Sequence, residues 1–397
     1  MSENQKISRR NLIKKFTEIG IIITIPEFIS YCSSSRNFTN ENSKGKLSED
    51  KDSPFTIWPV AYCSEIGITA PNAHNTQPWK FEFDSPLKMK LYVDEKRLLT
   101  FTDPPFRQTH ISQGTFIELF TMAAKSIGYN TDVSILPEKK YNNEKIGKSP
   151  IAILSLKKEG IIKEDRLFPY YKNRITDRTV FENENIPEES ITKLIQLTEP
   201  KYSNIKIIHN QDQLNEYHNL FYKATEVESY YDKAGEETFK WFRFSEKELK
   251  VRKDGLSLRG SGFSGFTLWL IENFLMDKNL ESFTSKETTE TYLKNFKNVV
   301  YSSKAYALFI TEENTFKSWI QVGRDYLRFH LAITFLNLKM HPLSQILQEY
   351  PKMDSLRKEF EGLNGIKGKQ KIQMAVRIGK SSYNYFSPRR TVTDMKI

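Results

Sequence analysis

Apolar and polar positions alternate in two rhythms along this chain, and the change of rhythm marks its elements. Ile57, Val60, Ala61, Ile66 and Ile68 recur at helical spacing. Residues 81–84 and 87–93 alternate as half-buried strands do, with Asp84, Ser85 and Pro86 as the turn between them. Asp103, Pro104 and Pro105 break the chain. Phe116, Leu119, Phe120, Ala123, Ala124 and Ile127 then recur at threes and fours, which predicts one long helix over 110–128 with Gly128 as its stop. Residues 150–156 read as a buried strand.

The pattern continues after residue 166. Pro187 opens a helix that runs through Leu194 and Ile195, with Asn185 as candidate cap. Residues 205–209 form a strand, in which His209 reads as structural. An aromatic-rich helical region covers 212–250. A strand lies within 299–310, a long buried helix covers 319–338, His341 to Gln345 turn out of it, and 373–379 is a late strand. Helices interleaved with hairpin-type strands indicate an α+β layer fold.

Composition narrows the class. With 397 residues, 38% hydrophobic and 13% aromatic, the chain can bury a sizeable core as about two or three domains. The net charge of +10 would suit an anionic ligand, but basic residues alternate with acidic ones and form no stripe for nucleic acid. Cys32 and Cys63 cannot make a disulfide framework, and no metal-ligand spacing occurs. No run reaches the apolar length of a spanning helix.

Residues 1–32 carry an address. Ser8, Arg9, Arg10 and Asn11 precede a short apolar stretch, which resembles a twin-arginine (Tat) export signal. Cys32 stands where a lipoprotein cysteine would, so membrane attachment by lipidation is a second expectation; a basic amphipathic helix is the plain alternative. The reading is of an exported, periplasmic or membrane-anchored protein. Residues 33–54 are polar and read as a linker. The remainder divides into a first half, 55–165, and a second half, 166–397, with a lid insertion at about 240–290.

Two stretches carry chemistry. In the loop 70–79, Pro71 and Pro78 fix two φ angles around Asn72, His74, Asn75, Thr76 and Gln77. Those side chains could face a flat polar ligand or simply close a turn. Arg174 and Arg178 bracket Thr176, two guanidinium forks and a hydroxyl that suit a phosphate. The glycine-rich patch over 260–265 lacks the strand and helix of a dinucleotide fingerprint and reads as a mobile loop or lid.

Taken together, Ala70 to Trp79 resembles the A-P-S-x-x-N-x-Q-P-W loop of the FMN-dependent nitroreductase superfamily, and Arg174 to Arg178 resembles its R-x-S/T-x-R phosphate motif. Gln321 to Gly323, Arg377 to Gly379 and Ser387 to Arg390 resemble its carboxy-terminal half. Phe244 to Leu256 looks like the Acg-type branch, whose members are fused and pseudo-dimeric. The resemblance implies a nitroreductase-like fold of antiparallel-rich sheets flanked by helices. It also implies one composite FMN site per monomeric chain, because each half keeps what the other lacks. Arg174, Thr176 and Arg178, with Arg389 or Arg390, would hold the phosphate. Asn72, His74, Asn75 and Gln77 would line the ring or ribityl chain, and Ser344 and Gln345 would lie near N5. The implied activity is electron transfer from a small-molecule donor, NAD(P)H among them, through FMN to a nitro, quinone or similar acceptor. The alternative is a flavin-sequestering protein with a lid-covered cofactor.

Overall fold

The structure, a computed structural model, describes residues 58–397 apart from 139, 161 and 276, with the backbone alone at 266, 274 and 275. The export segment with Cys32 and the linker lie outside the described residues.

The first half is built from helix α1 (Pro59–Gly67), strands β1 (Trp79–Ser85) and β2 (Lys88–Val93), helix α2 (Arg107–Ser126), and strands β3 (Tyr129–Ile135) and β4 (Ala152–Lys158). Its sheet is antiparallel in the order β1-β2-β4-β3. In the second half, helix α3 (Glu188–Thr198) and strand β5 (Asn204–Ile208) lead into an inserted helical block. The block comprises α4 (Gln211–Ser229), α5 (Asp232–Trp241), α6 (Glu246–Arg252), α7 (Gly265–Leu270), α8 (Leu280–Phe283) and α9 (Lys286–Tyr301). A short parallel pair, β6 (Phe242–Arg243) with β7 (Leu256–Ser257), ties its middle together. Strand β8 (Ala305–Thr311), helix α10 (Phe316–Phe335), strand β9 (Lys339–Pro342), helix α11 (Asp354–Leu363) and strand β10 (Lys371–Gly379) complete the half. Its sheet runs β5-β8-β10-β9, again antiparallel.

The strand orders repeat: in each half the first strand pairs the second, the second the fourth, and the fourth the third. Each half also places a helix before its first strand and a 20-residue helix after its second. This is an internal pseudo-dimer of α+β halves. Its two long helices, α2 and α10, pack on each other at Gly114 and Gly323. A Cβ on Gly114 would stand 1.8 Å from the Ile320 carbonyl oxygen, and one on Gly323 would stand 2.1 Å from that of Ile111. The backbones can meet this closely only because neither position carries a side chain. One apolar core therefore runs across both halves, from Trp79, Phe81 and Phe116 to Ile320, Leu327 and Phe329.

The second half also lends a segment to the first. Residue 176, which follows the first half's last strand, bridges to Met340 of the second sheet. The carboxy-terminal tail returns to bridge Phe81 of the first.

Several expectations are corrected. The helix after Pro187 has Pro187 itself at its N-cap with no side-chain cap, so Asn185 has no such role; Glu188 and Glu189 in the first turn complement the helix dipole instead. His341 and Pro342 belong to β9, not to a turn. The helical region 212–250 is three helices, interrupted by Tyr230 and by β6. Strand β3 goes unseen in the pattern because its sheet-edge positions are only partly buried and its composition is polar.

Candidate functional site

The loop 70–79 is held rigidly on one face of α2. Thr115 Oγ1 donates to the Pro71 carbonyl at 2.7 Å, Gln113 Nε2 donates to that of Pro78 at 2.7 Å, and Ser112 Oγ accepts from Ala73 N at 3.3 Å. Within it His74, Asn75 and Gln77 have φ of 47°, 53° and 52°. Left-handed backbone at non-glycine residues costs of the order of 1–3 kcal/mol each and persists only where the surroundings impose it.

Three of the loop's amide side chains are spent on that imposition. Asn72 accepts from Gln77 N at 2.8 Å and donates to Ala70 O at 3.2 Å. Asn75 accepts from Arg389 Nη1 at 2.8 Å and donates to Pro388 O at 3.2 Å. Gln77, wholly buried, accepts from Arg390 N at 2.8 Å and donates to Lys253 O at 2.8 Å. These side chains bind the loop to the carboxy-terminal tail and to the segment after α6. His74 differs. Its Nδ1 is buried with no partner, and burial holds its pKa down at about 4. Glu237 on one side opposes that shift, and Arg178 on the other adds to it.

The arginines come from three places in the chain and meet here. Arg174 Nη2 donates to Thr69 O at 2.8 Å, Nη1 lies 3.4 Å from His330 Nδ1, and Nε is buried without a partner. His330 Nε2 sits 2.8 Å from the Ile175 carbonyl, which makes Nε2 the protonated nitrogen and leaves Nδ1 free to accept from Arg174. Arg389 spends its donors on carbonyls, Nε on Ile68 at 2.9 Å and Nη1 on Ser387 and Pro388 at 3.1 Å. Arg390 Nη2 donates to Gln77 O at 2.9 Å. Arg178 makes no hydrogen bond or ion pair among the described residues. Its charge acts on Tyr383, Tyr292 and Tyr326 and, least, on the Asp177 carboxylate, and it also reaches His74 and His341. Thr176 directs its backbone to Met340.

Burial lowers the pKa of Arg174 to about 10 and that of Arg389 to about 9, the latter helped by the neighbouring charge of Arg174. None of Arg174, Arg178 and Arg389 forms an ion pair among the described residues. Taking guanidinium groups out of water without counter-charge is costly, and a bound anion would offset the cost.

Arg377, part of the stretch 377–379 but not among the expected cofactor-binding residues, fixes the strap that carries this motif. Fully buried, it donates to Thr179 O at 2.6 Å, Asp177 O at 3.2 Å and Val299 O at 2.8 Å, and lies 3.9 Å from the Phe181 ring centroid.

Away from the arginines, the site changes sign. Tyr292 keeps 46% of its surface accessible, and the charges of both Glu228 and Arg178 act on its phenol, in opposite senses. Glu228 accepts from Gln348 Nε2 at 2.5 Å and also from Gln345. Burial raises its pKa, with nearby Glu237 adding to the shift. Ser344 begins the short 3₁₀ turn Gln345–Leu347 and caps nothing with its side chain. Tyr292, Tyr326, Tyr383 and Glu228 carry no sequence signal, since they reach the site from separate elements.

The pseudo-symmetric position gives an internal control. The loop between α3 and β5 is closed on the Asp325 carboxylate, which accepts from Lys201 N, Tyr202 N, Ser203 N and Ser203 Oγ at 2.8–3.0 Å. The arginines there are fully compensated, Arg324 by Glu118 at 2.7 Å and Arg328 by Asp165 at 2.6 Å. At one position the arginines are paired with carboxylates; at the other, Arg174, Arg178 and Arg389 have no ion pair among the described residues.

No family model matches the chain. It is 31% identical over 75 residues to proteins provisionally named NAD(P)H nitroreductases in two strains of Mycobacterium tuberculosis; the match covers 19% of this chain and 22% of theirs. The chain thus spans less than a quarter of the curated relatives it matches. Among solved structures it is similar to a nitroreductase with bound FMN from Bacteroides fragilis (10% identity, 57% of this chain and 94% of that one, TM-score 0.32). It is also similar to the FMN-dependent nitroreductase NfnB of Mycobacterium smegmatis in complex with NADPH (12%, 57% and 94%, TM-score 0.34).

Proposed function

We propose that this protein is an FMN-binding oxidoreductase of nitroreductase type, with one composite site per chain built across its internal pseudo-dimer. The observation that carries the proposal is the contrast between bare and compensated arginines. Arg178, the unpaired Nε of Arg174 and the Thr176 hydroxyl suit a phosphate group, and the accessible phenol of Tyr292 and the free Nδ1 of His74 suit a planar, hydrogen-bonding ring. When bound, FMN would accept hydride from NAD(P)H and pass electrons to a nitro, quinone or similar acceptor. The protein's part is to hold the phosphate, to keep His74 neutral, and to exclude water. Arg389, Arg390, Asn75 and Gln77 serve that end by fixing the loop. Export through the Tat route, attachment through Cys32 and a monomeric state belong to the same proposal and rest on the sequence and the pseudo-dimer.

A second reading has its own support. The segment after α6, expected to be a mobile lid, is pinned over the loop. Gly255 N donates to Asn75 O at 3.1 Å, and Asp254 pairs with Arg97 at 2.8 Å and with Arg243 at 2.7 Å. A closed lid favours sequestration of the flavin over turnover.

The visible spectrum of the purified protein tests both. One FMN per chain, bleached by NADPH and restored by a nitroaromatic, is the expected result. Bleaching by dithionite alone favours sequestration, and a colourless protein that takes up no FMN overturns both readings.

A further inference from the structure

The cationic end of the site faces an oxygen-rich end whose hydrogen-bond polarity is fixed by one carboxylate. Glu228, on α4, receives the amide NH2 groups of both Gln348 and Gln345. An amide that gives its nitrogen to one partner presents its oxygen elsewhere, and here both oxygens, Gln345 Oε1 and Gln348 Oε1, are buried and unpartnered. Gln348 is only 5% exposed and Tyr350, whose hydroxyl is likewise unpartnered, only 3%. Buried oxygens left this way are costly, and a bound group with N–H donors removes that cost. The groups around Glu228 are Glu237 from α5, Tyr292 from α9, and Tyr350 beside the two glutamines. No cation pairs with it among the described residues.

We infer that Glu228 is a positioning residue that sets Gln345 and Gln348 with their oxygens toward the site, so that this end selects ligands presenting N–H donors. The inference rests on the FMN reading of the site and adds a direction to it. The flavin ring gains N–H groups on reduction, so a wall of acceptors stabilises the reduced form over the oxidised one. Glu228 does this through the two amides and not by its charge, and the two routes differ in sign. A negative charge near the ring disfavours the reduced anion, so its removal should raise the reduction potential. Loss of amide orientation should lower it.

Glu228→Gln separates them. The substituted amide can donate to Gln345 or Gln348, which reverses one of them. With FMN-loaded protein at pH 8, the ratio of reduced to oxidised flavin at a fixed poise should fall about tenfold, equivalent to about 30 mV for a two-electron couple. In a Gln345→Leu, Gln348→Leu background the same substitution should produce no fall. An unchanged ratio, a rise, or an equal fall in that background overturns the inference. The side-chain amide NMR signals of Gln345 and Gln348 provide a readout without flavin, and both should shift in Glu228→Gln and Glu228→Ala. Shifted amides in a protein that takes up no FMN would uphold the positioning and sink the flavin reading. Bound FMN with unmoved amides would do the reverse.

Discussion

Gly114 and Gly323 occupy each other's contact surface. Each of their Cα atoms lies 3.0 Å from where the other's Cβ would be, and each opposes the carbonyl three residues before its partner, that of Ile320 or Ile111. Such reciprocity is the mark of an isologous interface, here within one chain. The helices that carry them, Arg107–Ser126 and Phe316–Phe335, match in length and register about that point. Because the site spans the two halves, this crossing sets its width.

Gly323→Ala should therefore weaken both fold and site. The new methyl must displace a backbone carbonyl, and overpacking of this kind costs about 1–3 kcal/mol or more. A fall of several degrees in thermal midpoint, with weaker FMN retention, is expected. A midpoint equal to that of the unmodified protein would show that the helices separate without cost.

Arg178 and Arg389 should respond in opposite ways. Arg178→Ala removes a half-buried cation with no hydrogen bond or ion pair among the described residues, so the ligand-free protein should be as stable as before or more so, while FMN affinity falls about tenfold or more, as for loss of a charge-assisted hydrogen bond. Arg389→Ala leaves the carbonyls of Ile68 and Ser387 without their donor, and should destabilise the ligand-free protein by about 2 kcal/mol or more. Paired thermal melts and FMN titrations check both; a destabilised Arg178→Ala protein with undiminished affinity would remove that residue from the phosphate site.

Much of this architecture was legible in the chain because it is written in periodicity. The spacing of Phe116, Leu119, Phe120 and Ala123 marks α2, and alternation marks β1 and β2. The repeat itself was not legible from the strands, since β3 is polar and β9 has only four residues. At the site, the loop and the strap announced themselves through clustered proline, amide and arginine. Their division of labour did not. That Asn75 and Gln77 face the tail while His74 faces the site depends on three positive φ angles, which composition does not report. Glu228 and Tyr292 enter from an inserted helical block, outside the loop and the arginine strap, and only folding brings them near the site.

Histidines should govern acid stability. Burial depresses His110 to about 4, and His218 and His74 to about 4 as well, while His330 and His341 are pushed well below their ordinary range. The folded protein keeps these rings neutral where the unfolded chain, with histidine near 6.5, binds protons. Stability is then fully present above about pH 6.5 and is lost as pH falls toward 4. His110, wholly buried between Phe106 O and Tyr141, accounts for ~3 kcal/mol of that loss. Denaturation midpoints measured from pH 7 to pH 4.5 should fall steeply, and His110→Gln should flatten the slope by up to one proton. A slope unaltered by the substitution would mean that His110 titrates normally in the folded state.

The clamp at Asp254 should control exchange of the ligand. Asp254 joins Arg97, which also donates to the Thr76 carbonyl at 2.9 Å, to Arg243 on β6, and so fastens the lid segment to the loop through Arg97. Gly255 follows with φ of 80°, and a Cβ there would stand 2.3 Å from Trp241 O, so the turn admits no other residue without moving. Asp254→Asn removes the charge from both pairs, that with Arg243 more than nine-tenths buried, and leaves Arg243 with no carboxylate partner among the described residues and Arg97 with Asp94 alone at 3.4 Å. The lid should then open more often, and FMN release, followed by dilution into a flavin-free buffer, should accelerate about tenfold or more. Reduction by NADPH should accelerate too if closure of the lid is what limits access. Release as slow as in the unmodified protein would show that the segment is held by its other contacts, chiefly Gln77 to Lys253 and Asn75 to Gly255, and that Asp254 stabilises the turn alone.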